Sequence, residues 1–286
     1  MKFQITLVLA ACMICSSYAA EKLSVLLIDG QNNHSWKTTT PVLQDALEKG
    51  GFSVTISTSP AKGADADAWK NWRPEFSKYD AVLSNYNGQE WPAEVKTTFE
   101  NYVSQGGAFI CVHAADNAFR NWKEYNKMIA IGGWGGRTEA DGPYLYFKDG
   151  EFLRDKSKGR GGSHGPKHEF VVTVRNANHP ITKGMPTEWL HTKDELYDSL
   201  RGPAENVTVL ATAYSDKSKK HEPMMLCIAY GKGRVFHTPM GHDTTSMKCV
   251  GFYNTIQRGT EWAITGKVSI ALSDDFPGKD RISPVK

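Results

Sequence analysis

Short apolar runs alternate with polar and glycine-rich segments through the first half of the chain. Runs bounded by turn residues predict buried strands, here at residues 22–29, 52–56, 79–84 and 108–112. Val95, Phe99 and Val103 share one face of a helix predicted over residues 92–105, and another helix is predicted over residues 40–50. This alternation of strands and helices predicts a parallel sheet covered on both faces.

The pattern changes in the second half of the chain. Residues 132–165 are rich in glycine and lack a clear period, which predicts a long loop that carries function or contains hidden elements. Later apolar runs predict strands at residues 170–174, 207–211, 224–230 and 234–237, the last two joined as a hairpin. A closing helix is predicted over residues 249–265. The simplest reading is one α/β domain with inserted loops.

Charge and cysteine content exclude two classes of protein. Lys and Arg total 34 against 31 Asp and Glu, a net charge of +3, which is too small and too evenly spread for a nucleic-acid partner. Beyond the N-terminal segment the cysteines are Cys111, Cys227 and Cys249, each within an apolar run. Such thiols are usually buried side chains, so we expect no disulfide framework.

The first 20 residues are predicted to be a signal peptide. Lys2 precedes an apolar run over residues 5–14, and residues 15–20 form a cleavage region rich in small side chains. The run is too short to span a bilayer, so no transmembrane anchor is expected. Residues 9–12 also resemble a bacterial lipobox that would lipidate Cys12, but cleavage after Ala19 or Ala20 fits the spacing better. The sequence predicts an exported protein, either periplasmic or secreted.

Polar side chains follow several predicted strands at the point where each strand ends. In chain order they are Asn32, Asn33 and His34; Asn85 and Asn87; His113, Asp116 and Asn117; and His237, His242 and Asp243. Ligands of open parallel sheets bind beyond the carboxyl ends of the strands. We therefore expect these imidazoles and amides to meet at one edge, although any single histidine has an ordinary structural alternative. His164 and the pair Asp194 and Glu195 lie outside these strand ends.

Two other kinds of site are excluded by their context. No glycine-rich loop with phosphate-binding spacing follows the first strand, so no nucleotide cofactor is expected. Residues 161–165 match the letters of a serine-hydrolase nucleophile elbow. That motif needs a strand before it and a helix after it, whereas glycines precede this one and Pro166 follows.

Several motifs together resemble the ThuA-like (trehalose-utilisation) family. They lie at residues 109–115, 179–186, 194–197, 230–237 and 241–243. The resemblance implies a flavodoxin-like, doubly wound and mostly parallel sheet with a C-terminal β-hairpin, over residues 21–268, followed by a tail at 269–286. It also implies a relationship to class I glutamine amidotransferases. His113 stands where those enzymes place a nucleophilic cysteine, so amidotransfer by a thiolate is excluded.

The resemblance further implies a role in sugar catabolism, beside oxidoreductases that form 3-keto sugars. The site residues carried over from the matching motifs are His34, His113, Glu195 and His242, followed by Asp194 and His164. The expected substrate is a small carbohydrate, and the sugar oxidoreductases of the same pathway are the expected partners.

The chemistry of an oxidised sugar suits these residue types. A keto group acidifies the neighbouring C–H, so cleavage or rearrangement needs acid–base groups, for which we expect His113, Glu195, His242, His34 and Asp194. A divalent, zinc-like metal on His34, His113 and His242 would stabilise an enolate. For sugar binding we expect Asn33, Asn85, Asn87, His164 and Trp134. The alternatives are a lyase, hydrolase or isomerase of keto-sugars or oxidised glycosides, and a non-catalytic sugar-binding or accessory protein.

Overall fold

The computed structural model describes residues 22–286. The predicted signal peptide and Cys12 lie outside the described residues. Within them the strands are β1 Ser24–Asp29, β2 Ser53–Thr58, β3 Ala81–Ser84, β4 Ala108–Val112, β5 Tyr144–Lys148, β6 Glu151–Asp155, β7 Ser163–His164, β8 His168–Val174, β9 Glu188–Asp194, β10 Tyr197–Asp198, β11 Val207–Ser215, β12 Lys220–Tyr230 and β13 Gly233–Thr238. The α-helices are α1 Trp36–Lys49, α2 Ala66–Asn71, α3 Ala93–Ser104, α4 Lys123–Ile129, α5 Thr244–Met247 and α6 Val250–Thr265.

The main sheet has two halves that differ in strand direction. Its order is β2-β1-β3-β4-β13-β12-β11-β8-β9. The first five strands in this order are parallel to their neighbours, and the remaining pairings are antiparallel. This arrangement confirms the predicted flavodoxin-like α/β fold, including the β12–β13 hairpin. Because β13 lies beside β4, the loops that follow these two strands open at the same edge of the sheet.

Helices cover both faces of the parallel half, as the apolar pattern predicts. Val95, Phe99 and Val103 of α3 are buried against one face, together with residues of α4. On the other face Leu43 of α1 and Phe252 of α6 are fully buried. Each fully buried Leu or Phe contributes about 1.5–3 kcal/mol by leaving water. Two separate apolar layers therefore fix the sheet between the helices and hold its carboxyl edge in place.

The glycine-rich segment after residue 132 contains secondary structure that the sequence pattern does not show. Strands β5 and β6 form an antiparallel hairpin that joins β12, and β7 pairs with β10 in a separate two-stranded sheet. Strand β9 was also not predicted. It contains buried polar residues, His191 and Asp194, so it lacks the apolar run that marks a buried strand.

The C-terminal tail, residues 269–286, packs against the domain. The backbone N–H of Leu190 in β9 donates to the carbonyl of Gly278, and that of Val250 donates to the carbonyl of Ser283. The Glu261 carboxylate of α6 accepts backbone hydrogen bonds from Ser269 and Ile270. Within residues 22–286, no helix combines the length and the apolar character that a membrane span needs.

Glu222 in β12 is a buried carboxyl group that makes stability depend on pH. It is 2% exposed, accepts a hydrogen bond from the Ser218 hydroxyl at 2.7 Å, and has its pKa raised to about 7 by burial. A carboxyl group with a raised folded-state pKa stabilises the fold below its ordinary pKa, and this contribution is lost as pH rises through 7. Between pH 5 and 8.5 the loss is about 2–3 kcal/mol.

Between pH 5 and 8.5 we therefore expect Glu222→Gln to lose about 2–3 kcal/mol less stability than the unmodified protein loses. Urea unfolding at the two pH values measures the difference. Glu169→Gln, which changes an exposed glutamate on β8, is the control and should behave like the unmodified protein. Identical pH dependence of stability in Glu222→Gln and the unmodified protein would contradict a raised pKa of Glu222.

Candidate active site

His113 begins the sharp turn that follows β4. Its φ is +47°, a left-handed conformation that is uncommon for a residue other than glycine and that clusters at functional sites. The ring Nδ1 lies 2.7 Å from the carbonyl oxygen of Pro239, after β13. Since a carbonyl accepts only, Nδ1 carries the proton and Nε2 presents its lone pair. The turn thus delivers an oriented, 3% exposed imidazole to the carboxyl edge of the sheet.

Four chemically active side chains meet at this edge. The potential ligand atoms of His34, His113, Glu195 and His242 all lie within 4.8 Å of one another. The ring of His34 lies 4.9 Å from that of His113 and 4.5 Å from that of His242, measured between centroids. The structure therefore brings together residues from four distant segments, including all three histidines expected to bind a metal.

Two nitrogens of this cluster are buried without a hydrogen-bond partner among residues 22–286. They are His113 Nε2 and His242 Nδ1. His242 Nδ1 lies 2.9 Å from Glu195 Oε2 but is not aligned with it for a hydrogen bond, and His113 Nε2 lies 3.9 Å from the same oxygen. Buried polar atoms normally have partners, so such exceptions at a site indicate a ligand, a metal or a catalytic role.

The cluster holds its members in different protonation states. Burial, reinforced by the neighbouring imidazoles, lowers the pKa of His34 to about 4. Burial also lowers the pKa of His113. The adjacent Glu195 carboxylate raises the pKa of His242. Burial opposes ionisation of Glu195, but His242 and the other imidazoles outweigh it and lower the pKa of Glu195. At neutral pH the site thus combines the neutral imidazoles of His34 and His113 with the ionised carboxylate of Glu195, which favours the protonated form of His242.

Asp194 lies behind this cluster and is fully buried. Its carboxylate accepts backbone hydrogen bonds from Gly241 at 2.7 Å, His242 at 3.0 Å and Glu195 at 2.8 Å. The ring Nε2 of His191 lies 2.9 Å from the same carboxylate. Four donors thus converge on one side chain, which ties the end of β9 to the loop that carries His242. Asp194, which was expected among the acid–base groups, is engaged by these donors and does not line the cavity that opens onto the cluster.

The pair of Asp194 and His191 is ionic. Burial opposes the charge on each partner, but their mutual hydrogen bond outweighs it, lowering the pKa of Asp194 to about 2 and raising that of His191 to about 9. A second buried pair lies beneath the turn. His237 Nε2 lies 3.2 Å from Asp116 Oδ2, and His237 Nδ1 donates to the carbonyl of Ile129. His237 therefore supports the turn from below and does not join the cluster.

A polar cavity of 460 Å³ opens onto the cluster. It is lined by Asn33, His34, Asn87, Asn117, Trp134, Gly135, His164, Glu195 and Tyr197. The ring of Tyr197 lies 4.1 Å from that of His113 and 4.6 Å from that of Trp134, so these aromatic rings form a continuous wall. His164 Nε2 lies 3.8 Å from Glu195 Oε1.

Two predicted residues are engaged elsewhere. Asn85 is 4% exposed and its amide donates to the hydroxyls of Thr39 and Thr40, so it supports α1 and does not line the cavity. Asn85 was expected to bind sugar, but it directly follows β3 and its amide faces α1, whereas Asn87, two residues later, lines the cavity. Asp243 caps α5 through the N–H groups of Thr245 and Ser246.

Sequence reasoning missed Tyr197 and His191, whereas Asn117 was expected at this edge. Tyr197 contacts His34 Nε2 at 3.2 Å through its hydroxyl, and the amide of Asn117 donates to that hydroxyl at 3.4 Å. His191 holds Asp194 as described above. Asn117 follows a predicted strand and Tyr197 lies in the motif at 194–197, so the sequence connected both residues with the site. Nothing in the sequence pattern assigned a partner to His191.

Comparison with known proteins assigns the chain to a family. The family model described as "Trehalose utilisation", ThuA, matches residues 24–263. No curated protein matches the chain. A crystal structure of a ThuA-like protein from Parabacteroides merdae is 44% identical, with a TM-score of 0.89 over 92% of this chain and 98% of that chain.

More distant structures share the fold alone. A ThuA-like protein from Bacteroides uniformis is 17% identical, with a TM-score of 0.55 over 89% of this chain and 96% of that chain. A cytoplasmic protein from Salmonella typhimurium is 14% identical, with a TM-score of 0.50 over 84% of this chain and 99% of that chain.

The turn after β4 holds an imidazole and no thiol. His113 occupies the turn, and the nearby Cys111 is fully buried within β4, where burial raises its pKa well above the ordinary value. Such a thiol is inert as a nucleophile. With the family model covering most of its length, from residue 24 to residue 263, the chain belongs to the ThuA family.

Proposed function

We propose that this protein is a carbohydrate-processing enzyme that acts on keto-sugars or oxidised glycosides by acid–base chemistry. The observation that carries the proposal is the cluster of His34, His113, His242 and Glu195, in which the buried His113 Nε2 has no hydrogen-bond partner and faces an ionised carboxylate. A polar cavity lined by amides and aromatic rings gives a sugar access to it. Such cavities with convergent polar groups and perturbed pKa values are typical of active sites.

The proposed reaction breaks a C–H bond next to a carbonyl. In a 3-keto-glycoside a base removes the proton from C2, and the electron pair passes into the carbonyl as an enolate. The enolate then expels the oxygen substituent at C1. A C1–C2 double bond forms, the C1–O bond breaks, and the leaving alkoxide takes a proton to become an alcohol. Each step needs a positioned proton donor or acceptor and no oxidant.

Glu195 is the proposed base. Its pKa is lowered, so the carboxylate is ionised and accepts a proton at neutral pH. His164 Nε2, 3.8 Å from Glu195 Oε1, is positioned to pass that proton on, since His164 also lines the cavity. Tyr197 keeps its hydroxyl proton because burial raises its pKa. Asn33, Asn87 and Asn117 provide amides for sugar hydroxyls, and Trp134 provides an apolar surface for the sugar ring.

The three imidazoles fit a divalent metal ion. His113 holds its Nδ1–H on a backbone carbonyl and turns its free Nε2 inward, which is the arrangement that metal-binding histidines adopt. His34 and His113 are neutral at working pH, as metal ligation requires. A bound ion would supply Lewis-acid stabilisation of negative charge. We propose that His34, His113 and His242 hold it and that Glu195 remains free as the base.

Two further parts of the proposal concern cellular context. The N-terminal sequence pattern supports export to the periplasm or beyond, with residues 1–20 removed. A substrate that already bears a keto group requires a sugar oxidoreductase upstream. A non-catalytic sugar-binding role is the second candidate, because the amides and aromatic rings of the cavity also suit binding alone.

Turnover and metal content of the purified protein test the proposal together. We expect the protein, supplied with Zn²⁺ or Mn²⁺, to bind one ion per chain and to release methanol from a methyl 3-keto-glucoside. His113→Asn should lose the ion and slow methanol release by at least about 100-fold. His221→Gln removes a histidine that contacts Arg175 away from the cluster, and should retain both properties.

Elemental analysis and methanol release measure the two properties separately. Sugar binding by calorimetry without methanol release, with every metal tried, would overturn the enzymatic proposal and support the binding role. Methanol release by metal-free protein at the full rate would overturn only the metal assignment.

A further inference from the structure

A second cavity, of 360 Å³, adjoins the candidate active site. It is lined by Trp134, Arg160, Gly162, Ser163, His164, Ser199 and Lys217. Trp134 and His164 line both this cavity and the one that opens onto the histidine cluster. The two cavities therefore form neighbouring compartments of one cleft, and a sugar bound at Glu195 would extend a substituent into the second.

The second cavity is cationic. Arg160 and Lys217 line it and no acidic residue does. Within residues 22–286, neither cation has a carboxylate oxygen within the 4 Å of a salt bridge. The Asp198 carboxylate behind the wall already accepts hydrogen bonds from the hydroxyls of Ser199 and Ser215. Two unpaired cations in a small concave site attract an anion, because the surrounding protein focuses their field.

The cations are carried on a fixed framework. Lys217 Nζ donates to the carbonyl of His164 at 2.8 Å, which holds the ammonium at the border between the two cavities. The loop that carries Arg160 is held by the Tyr144 hydroxyl, which donates to the Arg160 carbonyl at 2.8 Å. The carbonyl of Gly161 accepts the backbone N–H of Trp134.

Gly162 completes this framework. It has a φ of +88°, and a Cβ there would lie 2.5 Å from the backbone nitrogen of Trp134. The close approach of these two loops therefore requires glycine. The backbone beneath the two exposed cations is therefore preorganised, which reduces the entropy lost when a ligand binds.

From this geometry we infer that the cavity of Arg160 and Lys217 binds an anionic substituent of the sugar, so that the preferred substrates are acidic glycosides. The inference rests on the proposed function and names its substrate class. A sugar carboxylate and a phosphate ester share the required charge and acceptor oxygens. The hydroxyl of Ser163 also lines the cavity beside the two cations.

Calorimetry at low ionic strength tests the inference with three probes: methyl glucuronide, methyl glucoside 6-phosphate and neutral methyl glucoside. We expect one of the anionic probes to bind at least about tenfold more tightly than the neutral one. Whichever anionic probe binds more tightly shows whether the cavity prefers a carboxylate or a phosphate ester. The double variant Arg160→Gln with Lys217→Gln should remove this preference while leaving binding of the neutral glucoside unchanged.

Lys62→Gln is the matched control. Lys62 is another exposed lysine, and it lines a separate 520 Å³ cavity that shares Asn33 and Asn87 with the active-site cavity but neither Arg160 nor Lys217. This variant should keep the preference for an anion. Equal binding of all three probes by the unmodified protein would overturn the inference and leave the proposed function intact. A preference that survives the double variant would overturn it as well. If no probe binds, the inference fails, and methanol release from the neutral keto-glucoside then decides separately whether the proposed function stands.

Discussion

Asp194→Asn should destabilise the protein by about 3–5 kcal/mol, the cost of leaving one partner of a buried ion pair uncompensated. The substitution removes the charge that faces His191. It also places an N–H₂ group among the backbone N–H groups of Glu195, Gly241 and His242, which need an acceptor. Urea unfolding at neutral pH measures the loss.

Asp243→Asn is the matched control for this prediction. Asp243 also accepts backbone hydrogen bonds, but it caps the short helix α5 and pairs with the exposed Lys167. Asparagine caps a helix about as well as aspartate, so Asp243→Asn should lose less than about 1 kcal/mol. If Asp194→Asn were no more destabilising than Asp243→Asn, Asp194 would not be the residue that ties β9 to the His242 loop.

Glu195→Gln should reduce methanol release from a methyl 3-keto-glucoside by about 10³-fold, since a positioned general base contributes about 10²–10⁴-fold to rate. Glutamine has nearly the same size as glutamate but does not accept a proton. We expect sugar affinity to change little, because the amides and aromatic rings of the cavity remain in place. Steady-state rates and calorimetry on the same preparation measure the two effects.

The matched control here is Glu169→Gln, an exposed substitution on β8 outside the cavity, which should leave the rate unchanged. A Glu195→Gln variant that retained the full rate would show that another group removes the proton. An equal loss of affinity and of rate would show instead that Glu195 serves to bind the sugar.

The parallel half of the sheet could be predicted from the sequence because its patterns are strong. Continuous apolar runs such as residues 108–112 have few interpretations other than a strand buried on both faces. The stripe of Val95, Phe99 and Val103 likewise fits a helix packed on one side. These local patterns agree with the tertiary structure, so pattern and fold coincide there.

Several strands of the antiparallel half were not predicted because they are short or polar. The hairpin of β5 and β6 has Lys148, Glu151 and Asp155 within it. Strand β9 buries His191 and Asp194 as an ion pair. A buried charge is stable only with its partner, and the partner is set by tertiary structure rather than by the local pattern.

The candidate site likewise contains residues that the sequence pattern placed together and residues that it did not. His34, His113 and His242 could be placed together from the sequence because each follows a strand of the sheet at its carboxyl edge. Glu195 came from a resemblance, since it follows the unpredicted strand β9. The distinction between Asn85, which supports α1, and Asn87, which lines the cavity, depends on side-chain direction two residues apart. The sequence pattern does not specify that direction at the end of a strand.

Proton exchange in heavy water is the most direct test of the claim that Glu195 removes a sugar C–H proton at this cluster. A 3-keto-glycoside whose C1 substituent is a poor leaving group is incubated with the metal-supplied protein in D₂O and followed by proton NMR. We expect the C2 proton signal to disappear with the protein and to persist with Glu195→Gln. Persistence of that signal at full intensity with the unmodified protein, while the sugar is bound, would contradict it.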